Sequence, residues 1–181
     1  MAEVTLRILY LLAAACGLLA LGGAALSTDT AEVTRGRYLV EVAGCGHSHT
    51  PGHFRGKEDH TRELGGSDVG FEVPAAGTFV GPNLTPDRDT GLGRWSDQQI
   101  IVAIRGGVRP DGRPLSPVMP WQSFSRLSDA DATAIVAYLR SLKPVSNRVP
   151  GPYAAGEEPG VRAWRMFVPG KSTSKTPWFE E

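Results

Sequence analysis

The residues of this chain whose types and spacing carry chemistry begin at Cys45-Gly46-His47-Ser48-His49, followed by Thr50-Pro51. A cysteine, two spacers, a small polar residue and a histidine satisfy Cys-x-x-Cys-His, the pattern that attaches haem, at every position but one. In that pattern two thiols bond the haem vinyl groups, and the histidine beside the second thiol meets the iron. Ser48 stands where the second thiol belongs, and a hydroxyl forms no such thioether. Alone, the stretch is a damaged motif whose meaning depends on what the rest of the chain supplies. His47, His49, His53 and His60 with Cys45 form a second pattern, a copper or zinc set, but their spacings match no closed tetrahedral site. Met119, between Val118 and Pro120-Trp121, is the other side chain with ligand chemistry. Methionine is more often core filler, so its position in the chain has to decide its role.

Three helices are predicted to position these groups. The first covers 29–43, with Asp29 or Thr30 as cap and Val33, Leu39 and Val42 as the apolar face beside Tyr38; it ends at Gly44, directly before Cys45. Gly36 in its middle costs stability and is either a close-approach point for another helix or a solvent-tolerated residue. The second helix starts from the Ser96 cap, turns Ile100, Ile101 and Ile104 inward and stops at Gly106. The third is capped by Ser128, with Asp131 three residues on. Ile135, Tyr138, Leu139 and Leu142 make its stripe, and Lys143-Pro144 stops it.

Between the helices lie long loops. Residues 50–80 are polar and Gly-rich, with a small hairpin predicted from Phe71 and Val73 to Thr78, Phe79 and Val80. The mixed-charge run His53 to His60 reads as a solvated surface insertion. Gly81-Pro82-Asn83-Leu84-Thr85-Pro86-Asp87 and Gly91-Leu92-Gly93 exclude regular structure, and residues 107–127 are a Pro-rich loop holding Met119. From about 146 the tail is Pro/Gly-rich yet carries Trp164, Phe167 and Trp178, so it either packs over the domain or binds a partner.

Composition bounds these readings. The chain has 181 residues, with Lys+Arg and Asp+Glu equal at 19 each, so no charge bias points to nucleic acid. With 14 Pro and 22 Gly it is loop-rich, and of its two cysteines Cys16 lies in the leader, leaving Cys45 a lone thiol. Ile8 to Leu26 carries no charge and follows Arg7. Secretory apolar cores run about 7–15 residues and membrane spans about 20, so this is a cleaved signal or a retained anchor. Either way the rest of the chain is expected on the periplasmic side of the cytoplasmic membrane, anchored or secreted. The expected organisation is 1–27 signal or anchor, 28–147 folded domain and 148–181 tail. No nucleophile–base constellation and no Gly-rich phosphate loop is visible, which points away from an enzyme.

A short helix running into Cys-x-x-x-His, a Pro-Asn-Leu loop, a Met on a Pro-rich loop and a last amphipathic helix resembles a class I cytochrome c. More narrowly, the chain is similar to the membrane-associated periplasmic c-type cytochromes that serve dehydrogenases and respiratory chains. The resemblance rests on Arg35-Gly36-Arg37-Tyr38-Leu39, Gly81 to Asp87, Gly91-x-Gly93-x-Trp95-Ser96-Asp97, Arg109-Pro110-Asp111-Gly112-Arg113, Met119-Pro120-Trp121 and Leu127 to Leu142. It implies a mainly α cytochrome c fold of three to four helices and long loops around one haem. His49 and Met119 would be the axial ligands and Cys45 the one thioether. The Pro82 carbonyl would accept the His49 ring N–H, Leu84 would pack on the haem, and Trp121 and Phe124 would wall its crevice. Gly36 would let the first and last helices cross. Arg105, Arg109 and Arg113 would face haem propionates, rim a docking face or simply be solvated. A His/Met pair leaves no coordination position for substrate and favours the reduced state. The implied role is an electron carrier, free-standing or part of a larger redox assembly, with a dehydrogenase, oxidase or quinol-oxidising complex as partner. Ser48 departs from the family pattern and leaves three outcomes: haem on one thioether, haem without covalent attachment, or a haem-less structural or binding subunit. A haem sensor or enzyme in which Met119 detaches is the rival from another class.

Overall fold

Gly36 decides how the helices meet. In the computed structural model, which describes residues 30–165, helix α1 spans 30–42 and crosses α5 (Asp129–Ser141). A Cβ on Gly36 would lie 1.8 Å from the Ala134 carbonyl oxygen and 2.9 Å from Tyr138 Cβ, so the crossing exists only because that atom is absent. Val40, Ile135, Val136, Tyr138 and Leu139 form the core there with Leu64, Leu92 and Ile100. On α5, Ala132, Ile135, Val136 and Leu139 follow the i, i+3, i+4, i+7 rule of a helix with one buried stripe.

The same crossing fixes the rotation of α1. Tyr38 and Val42, expected on its apolar face, are 54% and 68% exposed. At about 100° per residue, burying Gly36 carries Val40 inward and swings Tyr38 and Val42 to the far side. Val33 and Leu39 are half-buried against the core.

Helix α2 (Cys45–His49) is a single turn that contains the whole Cys-x-x-Ser-His stretch. Helix α3 (Asp97–Gly106) starts from a full capping box between Ser96 and Gln99. It buries Ile100 and Ala103, with Ile101 and Ile104 half-buried, and closes on Gly107 at φ 68°, one residue beyond the expected stop. Helix α4 (Trp121–Phe124) is a short turn in the Pro-rich loop, and the Ser128 hydroxyl caps α5 by accepting from the Asp131 N–H at 3.1 Å.

The hairpin is β1 (Val69–Val73) and β2 (Gly77–Val80), antiparallel with Phe71 opposite Phe79. The tail supplies a third strand, β3 (Arg162–Arg165), parallel to β1 in the order β2-β1-β3. Earlier in the tail Tyr153 exchanges two backbone hydrogen bonds with Thr78, each 3.0 Å, so the tail pairs with both edges of the hairpin. Phe167 and Trp178 lie outside the described residues, as does the expected leader. Among the described residues no helix is long and apolar enough to cross a membrane. The molecule is thus mostly helical with a small sheet.

His53 to His60 lies at the surface as its polarity suggests, with Arg55, Gly56, Lys57 and His60 exposed, but it is anchored to the domain. His53 stacks on His47 with ring centroids 4.3 Å apart, Phe54 meets Phe71 edge-on at 5.2 Å, and Arg55 pairs with Asp68 at 2.7 Å. The partners come from the hairpin and from α2, which local polarity cannot reveal.

Candidate functional site

His49 ends α2 and is 6% exposed. Its Nδ1 lies 2.8 Å from the Pro82 carbonyl oxygen. A carbonyl only accepts, so Nδ1 carries the proton and the Nε2 lone pair is left free. Burial lowers the pKa of the ring against the opposing effect of the Pro82 bond, which keeps the imidazole neutral and able to ligate a metal. The backbone is held as well: the Gly66 N–H donates to the His49 carbonyl at 2.7 Å. Pro82 reaches the ring because Gly81 packs on the preceding residue of α2. A Cβ on Gly81 would stand 1.6 Å from the Ser48 carbonyl oxygen.

Cys45, one turn earlier, is half-buried against the core, and burial pushes its thiol up to about 11. It is therefore a thiol rather than a thiolate at neutral pH, and it is the one cysteine among the described residues. Ser48 lies between Cys45 and His49, with its carbonyl against Gly81.

The loop that supplies Pro82 is built around Asn83, which is fully buried. Its Oδ1 accepts from the Thr85 N–H at 2.9 Å and the Thr85 hydroxyl at 2.7 Å, while Nδ2 donates to the Thr90 hydroxyl at 3.1 Å and the Val145 carbonyl at 2.6 Å. Every polar atom of the amide is used, the condition for burying it cheaply. Leu84 follows, half-buried on the hydrophobic core. Arg140 of α5 fastens the end of the loop by donating to the Leu92 and Trp95 carbonyls at 3.1 and 2.5 Å.

Met119 is half-buried in a turn made of near neighbours. Its N–H donates to the Ser116 carbonyl at 3.0 Å, and its carbonyl accepts from the Trp121 N–H at 2.8 Å. Trp121 and Phe124 are half-buried on α4. Of the three arginines singled out above, Arg105 pairs with Asp129 and Arg113 with Asp111. Arg109 differs: its guanidinium lies 5.3 Å over the Trp95 ring, and its buried Nε has no hydrogen-bond partner, Asp111 being 3.6 Å away.

The fold thus joins His49 to Pro82 directly and sets Cys45 and Leu84 on one core. Met119 and Trp121 share a separate turn, with no hydrogen bond or ring contact between Met119 and His49. Among the described residues no three His, Cys, Asp or Glu side chains group as a metal-holding set, although His47 and His53 stack on each other. Residues not singled out in sequence are Asn83 and Thr85 as the loop's anchors, and Gly66 and Asn147 behind His49. An Asn and a Thr between Pro82 and Pro86 were the available sign of a tightly bonded loop; nothing local marks Gly66 or Asn147.

Residues 33–143 match the family model described as Cytochrome c. The cytochrome c subunit of an alcohol dehydrogenase (quinone) from Gluconobacter oxydans is 35% identical over 168 residues, covering 87% of this chain and 33% of that protein. The cytochrome subunit of a fructose dehydrogenase from Gluconobacter japonicus is 30% identical over 151 residues, covering 80% of this chain and 29% of that protein. A diheme cytochrome c-type protein of Cereibacter sphaeroides is 29% identical over 147 residues, covering 79% of this chain and 48% of that protein. The chain spans about a third of the length of the two dehydrogenase relatives and about half of the diheme protein.

Proposed function

The chain belongs to the cytochrome c family, and from that membership we propose an electron carrier that holds one haem c between His49 and Met119. The observation that carries the reading is the buried His49 ring, neutral, with Nδ1–H on the Pro82 carbonyl and Nε2 free. A ligating histidine is oriented in this way, by giving its other ring N–H to a carbonyl.

The residues present fit haem. A neutral imidazole and a soft thioether are the donor pair that suits an electron-transfer iron and raises its potential. The Arg109 Nε, buried without a hydrogen bond and 3.6 Å from Asp111, would have a donor to give to a further anionic group such as a propionate. Leu84 and Trp121 supply apolar surface. When bound, the haem supplies an iron that gains and loses one electron.

The chain's own residues do the rest. His49 and Met119 would hold the iron between them, which would leave no place for substrate and fits a carrier rather than a catalytic subunit. Cys45 would hold the haem through one thioether, its S–H adding across a vinyl group with no oxidant needed, and the Ser48 hydroxyl would form no second link. The relatives named as dehydrogenase subunits support a place on the periplasmic side of the cytoplasmic membrane, passing electrons from a dehydrogenase to an oxidase or quinol-linked complex.

An alkaline pyridine spectrum with the mass of the purified protein tests this. One residual vinyl group and a haem mass adduct are expected, and Ser48→Cys should add the second link. Absence of a Soret band in protein made with haem-maturation machinery sinks the reading. Carbon monoxide uptake by the reduced protein without denaturant favours a ligand-binding sensor or enzyme instead.

A further inference from the structure

Two pieces of backbone grip His49. One is the Gly65–Gly66 turn, whose Gly66 N–H holds the His49 carbonyl at 2.7 Å. The other is the Pro82–Asn83 segment, whose Pro82 carbonyl holds the ring at 2.8 Å. Neither is secured by its own neighbours alone. Both are fastened by the chain just after α5, at residues 145–149, which lies beyond the 33–143 region that matches the family.

Asn147 reaches both. Its side-chain Nδ2 donates to the Gly65 carbonyl at 2.8 Å. Its backbone N–H donates to the Thr90 hydroxyl at 3.0 Å, and Thr90 in turn accepts from Asn83 at 3.1 Å. Val145 backs the second piece by giving its N–H to the Thr85 hydroxyl at 3.0 Å and its carbonyl to Asn83 at 2.6 Å. The face of Gly66 is closed from the same side. A Cβ there would meet Val149 Cγ2 at 2.3 Å and Asn147 Nδ2 at 3.1 Å, and Gly66 sits at φ +103°, so the turn has no room to shift toward the segment.

We propose that Asn147 is a positioning residue for the axial histidine: by tying the Gly65–Gly66 turn and the Asn83 loop to one strap, it sets the backbone and ring position of His49. The claim rests on the ligand role given to His49 above. Its physical content is that a hydrogen bond from a ring N–H makes the imidazole a stronger donor. Loosening either grip weakens that bond, lowers the basicity of the ligand and raises the reduction potential.

Asn147→Asp keeps the shape of the side chain and replaces the amide donor facing Gly65 with an acceptor, leaving the backbone bond to Thr90 in place. Asn147→Ala removes the side-chain tie to Gly65 without putting an acceptor in its place, and it also keeps the backbone bond to Thr90. The haem content of the unaltered full-length protein is measured first. A haem-free protein overturns the carrier reading and the ligand role with it. In haem-loaded protein, both variants are expected to speed hydrogen exchange at the Gly66 amide by about tenfold, the loss of one hydrogen bond, with α5 amides such as Leu139 unchanged, and to raise the reduction potential. Exchange that accelerates uniformly, or an unmoved Gly66 amide, or an unmoved potential overturns the positioning role while leaving the carrier reading intact. Should the Asp variant fail to fold, Val149→Ala, which uncovers the Gly66 face and spares every hydrogen bond, carries the same test with about a threefold change in exchange.

Discussion

His49 and Met119 sit in regions of opposite construction. His49 takes its backbone bond from Gly66 and its ring bond from Pro82, 33 residues away, and behind these stand contacts as distant as Asn147 on Gly65, separated by 82 residues. Met119 is bonded through Ser116 and Trp121, its own neighbours, between prolines at 117 and 120. The first region opens only when distant parts of the chain part company. The second opens by breaking a local turn and lifting Trp121 from Gly107 at the end of α3. Local opening of this kind costs much less than global unfolding. The histidine side is thus held by contacts from distant parts of the chain and the methionine side by a turn, and under the proposed ligation the turn is where ligand exchange would begin.

The sharpest way to break the comparison is His49→Ala, which should lose most of the haem loading, read as the Soret absorbance per protein, whereas Met119→Leu should keep its haem. Equal loss in both would mean the two sides contribute alike. Next is Asn83→Ala. It removes four hydrogen bonds from the buried loop and leaves the Val145 carbonyl only the long contact with the Thr90 hydroxyl at 3.4 Å, and should cost about 3 kcal/mol in denaturant unfolding. A value under about 1 kcal/mol would show that the histidine side does not depend on long-range ties.

Met119→Leu itself comes third. A volume-conserving exchange at a half-buried site should change stability by less than about 1.5 kcal/mol. The reduced variant should take up carbon monoxide without denaturant. Refusal to do so would remove Met119 from the ligand set.

The smallest effect is in acid. The Arg113 guanidinium beside Asp111 holds its carboxyl down at about 2, and the Thr61 hydroxyl with Arg62 does the same for Asp59, also at about 2. An unfolded chain titrates these groups near about 4. Their contribution to stability is therefore complete above about pH 4 and is lost as pH falls toward 2, the sign for a carboxyl whose folded value is depressed. Both lie on the surface, so the slope is shallow. Asp111→Asn should flatten part of it in thermal unfolding followed from pH 5 to pH 2. An unchanged profile would show that the Asp111–Arg113 pair does not brace the Met119 loop.

Much of this was legible in the chain. Ser96 and Ser128 were readable as caps because a cap is a local hydrogen bond. The α5 stripe was readable because helical period and burial coincide. Gly36 was ambiguous until Ala134 was seen beside it, and Tyr38 and Val42 were misplaced because an apolar residue does not state which way its helix is rotated. The tail was legible only as aromatic and Pro-rich; its pairing with both hairpin edges is a non-local choice with no mark in its own residues.

By itself, then, the sequence determined the chemistry available here: one thiol beyond the expected leader, a histidine after Ser48, a methionine between prolines and the helices around them. These are properties of residue type and short spacing. Tertiary structure alone decided how that chemistry is held. The resemblance already implied the Pro82 carbonyl on the His49 ring N–H, but how closely that ring is buried, and that Asn83 and Asn147 fasten the loops on either side, depend on groups brought together across tens of residues. Such contacts are selected by the packing of the whole chain, and no window along it contains both partners.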